Sequence, residues 1–115
     1  MSSPPAPTLP RIVVIGSANT DLVVRVASLP RPGETVLGGE FSKVGGGKGA
    51  NQAVAAARGG GRVAFVAKVG DDDLGEAGIT SYEAEGIDTQ QVTQSPGTAS
   101  GVALILIDAA GENAI

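Results

Sequence analysis

The chain has 115 residues, a length typical of one small domain, and it contains no histidine, cysteine or tryptophan. Disulfides, cysteine nucleophiles, Cys/His zinc sites and Ser-His-Asp triads are therefore excluded. Twelve acidic residues against eight basic ones give a net charge of −4, which argues against nucleic acid or an anionic membrane as a partner. No apolar run approaches the ~18 residues of a membrane span, and no secretory signal is evident, so we expect a soluble cytoplasmic protein.

The chain begins with a proline-rich segment, which a short apolar run follows. Residues 1–10 contain four prolines and no hydrophobic periodicity, which predicts a disordered leader ahead of a folded region at 11–115. Residues 12–15 are all branched and apolar, and Gly16 ends the run. This pattern is typical of a strand that is buried on both faces of a parallel sheet.

Two further strands are predicted in the first third of the chain. Residues 22–27 and 34–37 contain valine and leucine, while prolines and glycines crowd their ends. Central strands of a sheet rarely tolerate proline and glycine at such positions. We therefore expect these two segments to form an antiparallel flap outside the main sheet.

A glycine-rich loop, a helix and a strand follow in that order. Residues 45–49 have the sequence Gly-Gly-Gly-Lys-Gly, and residues 50–58 are rich in helix-forming alanine. The glycines at 59–61 end this helix, and residues 63–69 predict a buried strand. A strand, a crossover helix and a second strand imply a parallel pair and an α/β layer architecture.

The last part of the chain predicts a second helix and two more strands. We expect a helix over residues 74–85, a strand over 101–107 and the start of a return strand at 112–115. Three consecutive acids, Asp71, Asp72 and Asp73, precede the helix and cannot all face one ion. One of them is therefore predicted to cap the helix, and no metal site is predicted. Because the sequence stops partway through the return strand, we expect a truncated fold.

The glycine-rich loop at 45–49 fits no nucleotide-binding pattern well. A phosphate-binding P-loop would require glycine in place of Ser42 and a hydroxyl residue in place of Gly49. The spacing Gly45-x-Gly47-x-x-Ala50 matches a loose dinucleotide pattern, but that pattern should directly follow the first long buried strand. The nucleotide hypotheses for this loop are therefore weak.

The same loop does suit a ligand with many hydroxyl groups. Backbone N–H groups at a helix N-terminus favour electron-rich oxygens, and Gly46 and Gly47 allow a ligand to approach the backbone closely. Lys48 adds a positive charge, and Asn51 offers an amide that both donates and accepts hydrogen bonds. A plain loop that caps an alanine-rich helix is the alternative, and the local pattern supports the two about equally.

Asn19 and Asp21 form a second candidate group. They follow the first buried strand, and open α/β sheets bind ligands beyond the carboxyl ends of their strands. Asp21 is able to accept hydrogen bonds from two sugar hydroxyls, and Asn19 is able to orient one more. An Asx-turn leading into the flap is the alternative, which this pattern taken alone slightly favours.

Several motifs in order resemble the ribokinase-like (PfkB) family of carbohydrate kinases. Residues 46–56, Gly-Gly-Lys-Gly-Ala-Asn-Gln-Ala-Val-Ala-Ala, followed by Arg58-Gly59-Gly60, resemble the first signature of that family. Residues 16–21 resemble its sugar-contacting segment, and further similar motifs lie at 69–75, 86–89 and 98–103. The resemblance covers 11–115 and implies a Rossmann-like fold, in which helices flank a parallel sheet. It also implies a small β-sheet lid with strands at about 22–27, 34–37 and 101–107.

The resemblance also implies an activity and a site. The reaction of the family's ribose-specific members is transfer of the ATP γ-phosphoryl group to the ribose 5-hydroxyl, with Mg²⁺ and K⁺ expected for the complete enzyme. Closing the lid would exclude water from the acceptor, and lid strands would pair two subunits into a homodimer. The implied sugar-binding residues are Asn19, Thr20, Asp21, Gly46, Gly47, Lys48, Gly49, Ala50 and Asn51.

One departure from the family pattern limits what this segment is expected to do. The catalytic Asp of the family lies in a Gly-Ala-Gly-Asp motif, and these 115 residues contain no such motif. We therefore expect this segment alone to contain no catalytic residue, to bind no cofactor or metal and to be inactive. The alternatives are a family kinase for another sugar or a nucleoside, and a non-catalytic short form that pairs with full-length subunits.

Overall fold

A computed structural model describes residues 8–115, so most of the predicted leader at 1–10 lies outside the described residues. Residues 8–115 form seven β-strands and two α-helices. In chain order these are β1 Arg11–Ile15, β2 Asn19–Arg25, β3 Glu40–Gly46, α1 Lys48–Arg58, β4 Arg62–Gly70, α2 Asp73–Ala84, β5 Val92–Ser95, β6 Val102–Ile107 and β7 Asn113–Ala114.

The strands divide between two sheets. The parallel sheet has the strand order β1-β4-β5, with both neighbouring pairs parallel. The lid sheet has the order β3-β2-β6-β7, in which β2 is antiparallel to β3 and parallel to β6. The predicted α/β architecture with a separate small sheet is therefore confirmed, and β6, within the segment predicted at 101–107, lies in the small sheet.

The hydrophobic core lies between one face of the parallel sheet and the two helices. Burial alternates along β4, so that Val63, Phe65, Ala67 and Val69 face the core. The Phe65 ring meets the Tyr82 ring of α2 edge to face, with 5.3 Å between ring centroids. The helices thus cover the face that carries Phe65, and they leave the other face uncovered within residues 8–115.

The first strand is not buried on both faces, contrary to the expectation from its apolar run. Ile12 and Val14 pack against the core, whereas Val13 and Ile15 are 64% and 79% exposed. Right-handed crossovers that advance in one direction across a sheet place their helices on the same face. Since the order β1-β4-β5 advances in this way, α1 and α2 share one face, and Val13 and Ile15 lie on the other.

The second lid strand also differs from its prediction. Residues 34–37 are not a strand; the partner of β2 is β3, which begins at Glu40 and pairs with Arg25 there. The chain first turns through Gly38 and Gly39, which have φ of 82° and 119°. A β-carbon on Gly39 would lie 2.3 Å from the Arg25 carbonyl oxygen, so the chain passes closely over the end of β2 before pairing starts.

Smaller shifts affect the remaining elements. Gly45 and Gly46 belong to β3 rather than to a loop, and α1 begins two residues earlier than predicted. Asp72 caps helix α2, and it is one of the three aspartates among which the cap was predicted. The short strand β5 was not predicted, because Val92 is its only apolar residue. Within residues 8–115, no helix has the length and hydrophobicity needed to cross a membrane.

Candidate functional site

Asn19 and Asp21 lie side by side at the end of the lid sheet nearest to the parallel sheet. Asn19 and Asp21 are two residues apart on a strand and therefore share a face. Asn19 Nδ2 donates a hydrogen bond of 2.9 Å to Asp21 Oδ1. Both residues pair with β3, so the alternative of an Asx-turn at this point is wrong. This hydrogen bond orients the two side chains relative to each other.

Gly46 is the residue of β3 that lies opposite Asn19. A β-carbon at Gly46 would lie 2.5 Å from Asp21 Oδ1 and 2.8 Å from Asn19 Nδ2. A side chain at this position would require Asn19 and Asp21 to move, because real β-carbons do not approach other atoms so closely. Glycine therefore allows the Asn19 and Asp21 side chains to lie directly over the backbone of the neighbouring strand. This observation brings the two predicted groups of site residues into one place.

Gly47 and Gly49 bring helix α1 close to the connection between β1 and β2. Gly47 has φ of 94°, and a β-carbon on it would lie 2.6 Å from the Ser17 carbonyl oxygen. A β-carbon on Gly49 would lie 2.7 Å from the Gly16 Cα. The Ala50 N–H donates to the Ser17 oxygen at 3.0 Å, which fixes the start of the helix there. Close packing alone thus requires glycine at both positions.

The helix start presents its own polar groups. Gly47 is the N-cap and has no side-chain oxygen, and the first turn of α1 contains no acidic residue. The positive end of the helix dipole is therefore not neutralised by this helix's own side chains. Lys48 and Asn51 are exposed, whereas Gly49 and Ala50 are buried. Lys48 and Asn51 thus remain the candidates for side-chain contact with a ligand, while Gly49 and Ala50 position the backbone.

Thr20 has a different place from its two neighbours. Strand alternation puts its side chain on the face opposite to Asn19 and Asp21. Its N–H donates a hydrogen bond of 2.9 Å to the Gly101 oxygen, just before β6. Ala103 of β6 pairs with Asp21 and shares its face, so it borders the site. Nothing in the apolar run at 101–107 indicated this neighbour, because the pairing of β6 with β2 is a long-range contact.

A second polar cluster joins the start of α2 to the residues before β6. Asp72 Oδ1 accepts hydrogen bonds from Ser100 Oγ at 2.6 Å and from the Gly75 N–H at 2.9 Å. Asp72 Oδ2 accepts from the Ser100 N–H at 2.8 Å. The hydrogen bonds from Ser100, with that from Gly75, hold the pKa of the Asp72 carboxyl below its ordinary value of 3.8. This carboxylate is therefore ionised and fully engaged at neutral pH.

Residues 8–115 contain no group of three or more acidic, His or Cys side chains placed to hold an ion. Asp72 is bonded to Ser100 and Gly75, as described above, and caps α2. Among the three consecutive aspartates at 71–73, Asp72 is thus the cap.

Comparison with known proteins decides the family. Residues 9–115 match the model of the family described as pfkB family carbohydrate kinase. The chain belongs to this family. It is 51% identical over 104 residues to the ribokinase of Bacillus subtilis, covering 90% of this chain and 35% of the relative. It is 44% identical to the deoxyribokinase of Salmonella typhi, with 90% of this chain and 34% of that protein covered.

The fold of this pfkB-family chain also matches solved structures. The structure of Arabidopsis thaliana ribokinase complexed with ribose and ATP superposes with a TM-score of 0.81 at 31% identity. That match covers 93% of this chain and 35% of the solved one. The chain thus spans about a third of the length of the relatives that it matches. The family resemblance and the fold expected from the sequence are both confirmed.

Proposed function

We propose that this chain forms the sugar-binding part of a kinase that transfers the ATP γ-phosphoryl group to the 5-hydroxyl of D-ribose. The observation that carries the proposal is the contact of Asn19 and Asp21 with Gly46, which joins two predicted groups into one polar surface. An ionised carboxylate accepts hydrogen bonds only, so Asp21 suits hydroxyl groups that donate. Asn19 offers both a donor and an acceptor, and Lys48 and Asn51 complete the set.

The lid sheet would contribute to the reaction by excluding water. In the proposed step, the ribose 5-oxygen attacks the γ-phosphorus, the bond from that phosphorus to the bridging oxygen breaks, and ADP leaves. The hydroxyl proton passes to a base, which in the family is the Asp of a Gly-Ala-Gly-Asp motif. The 115 residues contain no such motif, so this base would come from outside this segment. The role of this chain is to hold and orient the sugar, which is a large part of phosphoryl-transfer catalysis. No step is assigned to a metal ion held by this segment.

The outer face of the lid sheet supports a homodimer. Strand alternation and register place Leu22 and Leu104 on the face opposite to Asp21, together with Phe41. Phe41 is 61% exposed and Leu104 is 64% exposed. Contiguous exposed apolar side chains on a sheet are typical of an interface, and a second copy of this chain offers a matching surface. We propose that two lids pair through this face. The same face would allow a short form to pair with full-length subunits.

The acceptor has one close competitor. The deoxyribokinase relative is 44% identical to this chain, so 2-deoxyribose is the second candidate substrate. The two sugars differ by one hydroxyl. A site built to hydrogen-bond that hydroxyl discriminates strongly against the sugar that lacks it. The ratio of kcat/KM values for the two sugars therefore distinguishes the candidates.

The test uses a chimeric kinase, in which this chain is followed by the carboxy-terminal part of the Bacillus subtilis ribokinase. We expect ribose-dependent ADP release by the chimeric kinase and none by the 115-residue chain alone. Asp21→Asn should raise the KM for ribose by roughly ten-fold or more, since a hydrogen bond to a charged group is lost. The control is Glu40→Gln, an equal change of charge at the far end of the β2–β3 pair. Release of ADP without added sugar, or an Asp21 variant as active as the control, would count against the proposal.

A further inference from the structure

We propose that Asp72 is a positioning residue, which sets the lid sheet, and with it Asn19 and Asp21, relative to the parallel sheet. Its kinetic consequence rests on the proposed function, whereas its structural consequence does not. Within residues 8–115 the chain passes between the two layers three times, at residues 16–18, at Gly47 and at 96–101. Asp72 bonds the third of these crossings to the start of α2.

The carboxylate makes more bonds than a helix cap requires. Capping uses Oδ1, which accepts from the Gly75 N–H in the first turn of α2. Oδ2 is directed to the N–H of Ser100, a residue 28 positions further along the chain. Ser100 Oγ donates to Oδ1 and accepts from the Gly70 N–H at 3.0 Å. One carboxylate and one hydroxyl thus join the end of β4, the start of α2 and the segment before β6.

The junction leaves no room for these segments to slide past each other. A β-carbon on Gly70 would lie 2.0 Å from the Ser100 nitrogen. A β-carbon on Gly75 would lie 2.1 Å from the Gly70 carbonyl oxygen. The Asp71 N–H also donates to the Thr98 oxygen at 2.9 Å, which adds a backbone bond beside the carboxylate. Close packing and charged hydrogen bonds therefore fix the position of Ser100.

From Ser100 the constraint passes directly to the candidate sugar site. The next residue, Gly101, accepts the hydrogen bond of 2.9 Å from the Thr20 N–H. The parallel pairing of β2 with β6 then begins at Thr20 and Val102. Thr20 stands between Asn19 and Asp21 in β2. Only two residues, Ser100 and Gly101, thus connect the Asp72 carboxylate to the backbone of β2, which carries both candidate sugar ligands.

The key variant is Asp72→Asn, measured in the chimeric kinase. Asparagine keeps an oxygen to cap α2, but its NH₂ group faces the Ser100 N–H in place of an acceptor. We expect the KM for ribose to rise by roughly ten-fold and the KM for ATP to change less than about two-fold. Ser100→Ala should raise the KM for ribose by a similar factor, and the double variant should raise it by no more than the larger of the two single effects. Ser100→Thr keeps the hydroxyl group and should bind ribose as the unmodified chimeric kinase does. The control is Asp73→Asn, an equal change of charge at the exposed neighbouring residue.

Hydrogen exchange of the same proteins gives a readout that does not depend on activity. In Asp72→Asn, the amides of β2 and β6, including Thr20, should exchange faster, while the Phe65 amide, bonded to the Asp88 oxygen, keeps its protection. If Asp72→Asn lowered only the Tm and left both the KM for ribose and the exchange of the β2 amides unchanged, Asp72 would act only as a helix cap. That result would overturn the proposal. If the unmodified chimeric kinase phosphorylates no sugar, the proposed function fails, and the exchange at β2 still decides the role of Asp72.

Discussion

The two layers of this molecule are held together in different ways. The buried hydrophobic residues among 8–115 all belong to the layer of the parallel sheet and its helices; they are Ala50, Ala53, Val63, Phe65, Ala67, Val69, Tyr82, Ile87 and Val92. In the lid strands of the described chain, Gly46 is the only buried residue. The lid sheet is therefore maintained by its backbone hydrogen bonds and by its junctions with the other layer.

The difference indicates a division of labour between the layers. A layer with a packed core supplies the free energy of folding, because that energy comes mainly from apolar burial. A sheet without a packed core on either face leaves one face for the proposed sugar site and the other for the proposed pairing with a second copy. Its geometry then depends on a few junction contacts, so single changes there should alter binding more than stability. The following variants test that division.

The largest effect is expected from the centre of the core. Phe65 is fully buried, and Phe65→Ala should lower the free energy of unfolding by about 3–5 kcal/mol through lost burial and a cavity. Val44→Ala truncates an apolar side chain of the lid that is 51% exposed and lies on the face away from the proposed interface, and it should cost less than about 1 kcal/mol. Urea unfolding of the chimeric kinase, followed by circular dichroism, measures both. Equal losses would contradict the division between the layers.

The next effect concerns two neighbouring glycines of β3. A β-carbon at Gly46 would displace the Asp21 and Asn19 side chains, so Gly46→Ala should raise the ribose KM by roughly 100-fold, the size of effect that a 1 Å misplacement produces. A β-carbon at Gly45 meets nothing within 4 Å, so Gly45→Ala is the matched control and should bind ribose normally. Steady-state kinetics at saturating ATP measure the pair. If Gly46→Ala and Gly45→Ala had the same KM for ribose, the contact of Gly46 with Asn19 and Asp21 would not be the basis of the site.

The outer face of the lid provides a third test. Phe41→Glu places a charge on the proposed interface and should weaken dimerisation by roughly 30-fold or more, the effect typical of an interface hot spot. Leu37→Glu is the control, because Leu37 is 89% exposed and lies outside the lid strands. Analytical ultracentrifugation over a concentration series measures the dissociation constant. A Phe41 variant that dimerises as the control does would place the interface elsewhere.

The sequence predicted the α/β layer better than the lid, for physical reasons. The helices and β4 carry their own signals, since the alanine-rich run, the glycines at 59–61 and the apolar segment at 63–69 act locally. The glycine-rich segment and the pair Asn19 and Asp21 were also chosen as candidates from local pattern. Their contact was not, because it depends on the register of β2 with β3, which the misplaced strand at 34–37 concealed.

Long-range contacts account for the other differences. The exposure of Val13 and Ile15 depends on which face the helices cover, and a run of branched residues says nothing about that. The capping role of Asp72 was among the predicted alternatives, but its bonds to Ser100 join residues 28 positions apart. No local periodicity predicts such a pair. The residues that set the lid geometry are therefore the ones that only a three-dimensional structure shows.

The smallest expected effect is a pH dependence of Tm that distinguishes two carboxylates, Asp72 at the junction between the layers and Glu85 in the helix layer. The pKa of Asp72 is lowered by its hydrogen bonds from Ser100, and the pKa of Glu85 is lowered by its hydrogen bond with the exposed Arg58 guanidinium. A group with a lowered pKa in the folded state stabilises that state above its ordinary pKa, and this stabilisation is lost as the pH falls through the folded value. The Tm gap between the unmodified protein and Asp72→Asn should therefore narrow below about pH 4. Glu85→Gln should show a smaller gap with the same trend, since exposed ion pairs contribute little.

The same two variants should differ in their kinetics. Because Asp72 lies at the junction between the layers and Glu85 lies between the helices, only Asp72→Asn should change how the KM for ribose depends on pH. An equal pH response of ribose KM in both variants would mean that the junction and the helix layer are coupled rather than separate.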